Sequence, residues 1–213
     1  MIWSMGQRVC LAVIVGMLLW AVPVSAGNSG ETDLRMRGQA NAPVTLIEYS
    51  DFTCGFCLKF FKQTWPRIQA RYVDTGKVRF VYRDFPRGDQ GTGLDAATAA
   101  RCAGEQGQYW GMHDRLFSEG GQLDKQVYRR HAATLSLDQA AFERCMSDGR
   151  CTKAIFEYRQ DANQWGFHGT PGFILVRTAT EPTEKEPAVA IPGAFPFEMF
   201  AEEIDRLLAK GKK

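Results

Sequence analysis

Residues 47–61, IEYSDFTCGFCLKFF, decide the reading of this chain. PVTLIEYS, starting at Pro43, leads into them. It is short, nearly all apolar and rich in β-branched and aromatic residues, as a strand buried on both faces should be. Cys54 and Cys57 follow, with only Gly55 and Phe56 between them. From Cys57 onward, Phe60/Phe61, Thr64, Ile68 and Tyr72 recur at helical spacing. The cysteine pair therefore sits where a strand hands over to a helix. Pro66 falls inside that helix and predicts a kink, because it removes a backbone donor.

A Cys-x-x-Cys pair can be half a zinc site, a permanent staple or a redox centre. Zinc takes four N/S ligands in spaced pairs. The chain has no second Cys-x-x-Cys and no His-x-His, so no metal site is expected. Dithiol exchange needs a thiolate to attack and a second thiol to resolve the mixed disulfide. A helix start supplies both: partial positive charge favours the first thiolate, and the second cysteine lies one turn inside. Cys54 is the expected nucleophile and Cys57 the expected resolving thiol. Glu48, six residues before Cys54, is a carboxyl in an apolar strand. Desolvation should raise its pKa and let it exchange a proton near neutral pH.

Upstream, residues 1–26 have the three parts of a secretory signal: a positive start, the uncharged run VCLAVIVGMLLWAVPV, and small residues ending at Ala26. The run is short for a spanning helix, which needs about 20 apolar residues. A cleaved signal and a periplasmic or other extracytoplasmic location are expected. Cys10 falls in the removed part and has no assigned role. Five of the six cysteines then remain, Cys54, Cys57, Cys102, Cys145 and Cys151, in a compartment where disulfides persist. Five is odd, so at least one is free or pairs outside the chain. With 26 Lys+Arg against 24 Asp+Glu, nothing advertises a nucleic-acid partner.

Downstream, GKVRFVYRDFP is a second strand, opened by Gly76 and stopped by Pro86, and completes a βαβ unit. The polar arm before Pro43 holds a short strand near residues 34–37. From Leu94 to Phe167 the chain reads as helices separated by short Gly- and Ser-bearing loops. His113, Trp110, Leu116 and Phe117 share one side there, and Asp residues open two of the helices as caps. GFILV and AVAIPG are strands again, joined by the charged loop RTATEPTEKEP. An amphipathic helix with Phe200, Ile204 and Leu207/Leu208 on one face closes the chain. Arg83 and Asp84 are read as solvated strand-end charges, His113 as a packing residue, His168 as a surface histidine and Lys185 as part of a charged loop.

This order, with Cys-x-x-Cys between the first strand and the first helix, resembles the thioredoxin fold. It resembles more closely the DsbA-like thiol–disulfide oxidoreductases of the bacterial envelope. APVTLIEYSDFTCGFC, VRFVYRDFP, AARCAGEQGQYWGMHDRLF, GTPGFIL and IPGAFP carry the likeness, from Ala42 to the end. It implies an α/β thioredoxin fold, βαβ…ββα, with an inserted all-helical subdomain. The divisions are a signal at 1–26, an arm at 27–42, a first thioredoxin half at 43–93, the insertion at 94–167 and a second half at 168–213. It also implies a cis bond at Thr170–Pro171 facing the cysteines, where an extended substrate can pair with backbone. Phe56 adds apolar surface to that groove. Glu48 matches the buried acid that handles the inner cysteine's proton. Relatives often carry cysteines at the places of Cys102 and Cys145, which suggests a structural disulfide. Cys151 matches no family position: it could bond Cys102, bond Cys145 or stay free.

The expected function is exchange of disulfides with unfolded or partly folded exported proteins, as a disulfide-forming oxidase. Its cofactor-free redox centre would be the Cys54–Cys57 disulfide, reoxidised by a quinone-linked membrane partner. The protein is expected to be a monomer. The alternatives are an isomerase or reductase, and a metal-binding or chaperone module without turnover. An isomerase would need a dimerisation module, for which the arm is too short. Gly55-Phe56 lacks the histidine of the strongly oxidising members, so a less oxidising potential than theirs is expected.

Overall fold

The computed structural model describes residues 35–178 and 188–210. The expected signal, the first half of the expected arm, Cys10 and Lys185 lie outside the described residues.

The strands are β1 (Met36–Arg37), β2 (Val44–Ser50), β3 (Val78–Asp84), β4 (Gly172–Arg177) and β5 (Val189–Pro192). They form one sheet in the order β1-β3-β2-β4-β5. β2 runs parallel to β3 and antiparallel to β4, and the edge pairs are antiparallel. The parallel pair needs a crossover, and the helical chain after Cys54 provides it. β2 is central and buried along nearly its whole length. Alternation along it separates two faces. Val44 and Leu46 join the core that contains Cys57 and Phe60, while Tyr49 packs with Phe85, Ala162, Phe167 and Ile174 on the other face. By that period Glu48 shares the face of Val44 and Leu46, under the helix that carries Cys57.

The helix after Cys54 is broken rather than kinked. α1 (Gly55–Gln63) ends at Thr64 and α2 (Trp65–Ile68) restarts with Pro66 in its first turn, followed by a π-helical turn over Gln69–Val73. A proline is tolerated in a first turn, where its missing N–H has no helical partner to lose. Thr64 holds the break by donating its hydroxyl to Phe195 O at 3.1 Å. α8 (Phe197–Lys210) buries Phe200, Ile204 and Leu207 against the same core.

Five helices lie between β3 and β4: α3 (Thr92–Gly104), α4 (Tyr109–Ser118), α5 (Lys125–Thr134), α6 (Gln139–Asp148) and α7 (Thr152–Gln164). Asp124 and Asp138 cap α5 and α6, accepting from Val127 N at 2.8 Å and Ala141 N at 2.9 Å. Ala96, Ala99, Ala100 and Ala103 are fully buried, so small side chains let α3 sit close to its neighbours. A disulfide joins Cys102 on α3 to Cys145 on α6, with 5.7 Å between Cα atoms across 43 residues of chain. In the chain-entropy model a loop of that length stabilises by about 4 kcal/mol. Urea titration of Cys102→Ala/Cys145→Ala should show a loss of that order. A loss below about 1 kcal/mol would mean that the unfolded chain is already constrained there.

Asp84 corrects the sequence reading. It is 1% exposed, not solvated, because Arg101 from α3 reaches down and donates from Nε to its Oδ2 at 2.6 Å. Arg83 does lie nearer the surface, with its guanidinium 4.5 Å from the Tyr158 ring centroid. His113 is buried among Phe52, Tyr82, Trp110 and Phe117, and burial pushes its pKa down.

Candidate active site

Cys54 is the N-cap of α1, in extended backbone conformation, and its side chain makes no capping bond. The loop that delivers it is built on Asp51. That carboxylate is 3% exposed and accepts from Thr53 N at 2.8 Å, Thr53 Oγ1 at 2.7 Å and Arg87 N at 3.1 Å. Its carbonyl accepts from Cys54 N at 3.0 Å. An Asp followed two residues later by Thr is the sequence signal for such a turn, and the reading above did not use it.

Cys57 lies one turn into α1 and is fully buried; Cys54 keeps 7% exposure. Cys54 is thus nearly closed off from solvent. The Thr170–Pro171 segment covers it: the peptide bond is cis, and Cys54 Sγ donates to Thr170 O at 3.3 Å. Both cysteines are thiols in this structure.

Their acidities are pushed apart. The Cys57 thiol next to it is the largest influence holding the Cys54 thiolate, and the Thr170 side chain and the backbone N–H groups of Cys57 and Phe56 assist. Against the cost of burial they bring Cys54 down to about 5. Burial drives Cys57 well above the usual thiol range, and the neighbouring Cys54 and Glu48 charges add to this. Glu48 is 3% exposed, between Tyr82 and Phe173 on the flanking strands. Its Oε1 has no hydrogen-bond partner. Burial raises its pKa to about 8; the Ser50 hydroxyl offsets part of this and the charge of Cys54 adds to it. One thiol ionised at neutral pH, one protonated, and a carboxyl that can hold or release a proton therefore occupy one buried corner.

The rim is apolar. Phe56 is 66% exposed, and with Lys59, Thr170, Pro192, Gly193, Ala194 and Phe195 it lines a groove of about 230 Å³ beside the cysteines. Phe195 and Lys59 were not singled out from the sequence, because a distant turn brings Phe195 here. His168 is exposed and has no place in the arrangement.

A thioredoxin family model matches residues 30–188. The chain belongs to the thioredoxin family. Among solved structures, this thioredoxin chain superposes on α-DsbA1 of Wolbachia pipientis with a TM-score of 0.71 and 28% identity, covering 83% of this chain and 91% of that one. A thioredoxin-like oxidoreductase of Silicibacter pomeroyi gives a TM-score of 0.66 and 27% identity, over 84% and 92% of the two chains. The shared architecture is DsbA-like: a thioredoxin fold with a helical insertion. A Na(+)/H(+) antiporter NhaA 1 of Salinispora arenicola is 33% identical over 79% of this chain. The thioredoxin chain spans only 24% of that antiporter's length.

Proposed function

We propose that this chain is a thiol–disulfide oxidoreductase acting on the cysteines of exported, incompletely folded proteins, and that it works as an oxidant. The observation that carries this is the placement of the pair, Cys54 at the N-cap of α1 with the cis Thr170–Pro171 bond against its sulfur and Cys57 buried one turn inside, and their opposed acidities agree with it.

In the oxidised form a substrate thiolate attacks Cys54 Sγ. The new sulfur–sulfur bond forms as the Cys54–Cys57 bond breaks, and the electron pair leaves on Cys57. A thiolate is unfavourable at that buried position, and protonated Glu48 can supply the proton. A second substrate thiolate then attacks the substrate sulfur of the mixed disulfide. Cys54 departs as a thiolate, a good leaving group because its pKa is low. Two electrons pass from substrate to the pair, and no cofactor beyond the cysteines is involved. Phe56, Thr170 and Pro171 would hold the extended substrate segment, apolar side chains against the groove and backbone against backbone. A membrane-bound, quinone-linked partner would restore the disulfide, and the protein would act as a monomer. Its setting would be the periplasm or another extracytoplasmic space, reached through the signal read at 1–26. Among the described residues no helix is long and apolar enough to cross a membrane.

The test mixes the oxidised protein with a reduced, unfolded, cysteine-bearing protein and follows thiols. The expected result is stoichiometric loss of substrate thiols with matching gain at Cys54 and Cys57. No exchange, with a metal bound tightly at the pair instead, would sink the reading. Equilibration against glutathione then fixes the direction. A potential as low as that of thioredoxin, roughly −270 mV, would make the protein a reductant.

A further inference from the structure

Among the described residues, Cys151 is the one cysteine without a place in this scheme. It is the N-cap of α7 and a free thiol, 8% exposed. Its sulfur and those of Cys102 and Cys145 all lie within 4.8 Å of one another. Three cysteines so close would suit a soft metal if all were thiolates. Here two are bonded to each other and have no thiolate to offer. A thiol packed against a disulfide has a different chemistry open to it, which is exchange.

We infer that Cys151 and the Cys102–Cys145 disulfide form a second thiol–disulfide exchange site, internal to the helical insertion, through which one free thiol moves among three positions. The Cys151 thiolate attacks one sulfur of the bridge. A bond forms to Cys151, the Cys102–Cys145 bond breaks, and the electron pair leaves on the displaced sulfur. That sulfur takes up a proton in place of the one Cys151 gave up. One disulfide and one thiol exist before and after, so no outside oxidant or reductant is needed. Reactive contact requires roughly 3–3.5 Å, a small side-chain movement from the present spacing. Displacing Cys145 transfers the tie of α3 from α6 to the start of α7. Displacing Cys102 releases α3 from the bridge altogether.

Burial sets which thiol is seen from outside. Cys102 and Cys145 are each 1% exposed, so Cys151 is the most accessible of the three. Exchange draws that sulfur into the bridge and leaves the free thiol at a deeper position. Conversely, a reagent that caps Cys151 fixes the Cys102–Cys145 pairing. The charges facing Cys151 are Arg101 and Glu105 from the end of α3 and Asp148 and Arg150 from the turn before α7. The two arginines favour the thiolate, and the two carboxylates and burial oppose it. Arg150 is itself held by Glu105 at 2.6 Å and Asp148 at 2.9 Å. Exchange should therefore be slow near neutrality and speed up as pH rises.

Trypsin separates the three cysteines onto residues 102–115, 145–150 and 151–153, because arginines precede each of them. The experiment uses the full chain carrying Cys54→Ala and Cys57→Ala, which removes the other exchange centre. It is incubated between pH about 6 and about 9, acid-quenched, blocked with N-ethylmaleimide under denaturing conditions and digested without reduction. Peptide 151–153 should become linked to 102–115 or to 145–150, with the blocking group on the displaced cysteine. The initial rate should be independent of protein concentration and rise about tenfold per pH unit while Cys151 is mostly protonated. No such linkage at any pH, with Cys151 fully blocked, overturns the inference. A rate that grows with protein concentration overturns it too, since the exchange would then be between molecules. As a second measurement, mild oxidation of Cys145→Ser and of Cys102→Ser should close a disulfide to Cys151 in at least one. Two free thiols in both would be fatal to it.

Discussion

Under the proposed chemistry, Cys57→Ala should convert the protein from an oxidant into a trap. Oxidising a substrate dithiol needs both cysteines, because the two electrons must be stored as two thiols. Without Cys57 no internal disulfide can form, and substrate oxidation should fall to the buffer rate, on the order of 10³-fold or more. Cys54 can still attack a substrate disulfide, but nothing inside the protein can release the product. Mixed disulfides should accumulate as reductant-sensitive adducts on a non-reducing gel. The same variant tests the origin of the low Cys54 pKa. The Cys57 thiol is the largest influence lowering it to about 5. A hydrogen bond to a charged group contributes about 1.5–3 kcal/mol, so its loss should let the thiolate form only at about 10- to 100-fold lower proton concentration. Thiolate absorbance near 240 nm, followed against pH, reads this directly. Cys57→Ser keeps a donor and should shift less. An unchanged midpoint in the alanine variant would move the credit to the Thr170 side chain and the N-terminal N–H groups of α1. Loss of trapping together with normal folding would remove Cys54 as the attacking sulfur.

What could be read from sequence follows the range of the forces involved. β2, the cysteine pair at the helix start and the Asp caps are local patterns, and each appears where the residues predict it. The family resemblance supplied the cis bond at Pro171 and the Cys102–Cys145 bridge, which no local pattern encodes. The misreadings have long-range causes. Asp84 looks like a solvated strand end until Arg101, seventeen residues on, is folded over it. Phe195 shares a groove with Phe56 only because the turn after β5 lies beside the site. Asp51 is different, since its turn is local and was legible. The apolar residues around it drew the reading toward the strand.

Glu48→Gln should separate the chemistry of that carboxyl from its burden on the fold. The pKa of Glu48 is raised from the ordinary 4.5 to about 8, mainly because burial penalises its charge. The folded state thus binds more protons than the unfolded chain between those two values. The contribution of Glu48 to stability should then fall as pH rises from about 4.5 to about 8 and level off above, while the lowered pKa of the reduced Cys54 contributes with the opposite sign, so the comparison is made between variant and wild type at each pH. Glutamine carries no charge to bury, so the variant should lose this slope and be more stable than wild type near pH 8 by roughly a few kcal/mol. Chemistry should move the other way. Cys57, its pKa pushed up by burial, cannot easily leave as a thiolate or attack without a group to give or take its proton. Glutamine does neither. Both substrate oxidation and Cys57-driven release of mixed disulfides should slow at pH about 7, by about 10²-fold for a lost general acid or base. The deficit in release should shrink at higher pH, where solvent can take the Cys57 proton. A variant that is both more stable in alkali and slower at neutrality is what a proton-handling residue predicts, whereas a merely structural Glu48 would change only the first. Rates unchanged across the pH range would leave the carboxyl as an electrostatic cost without a function.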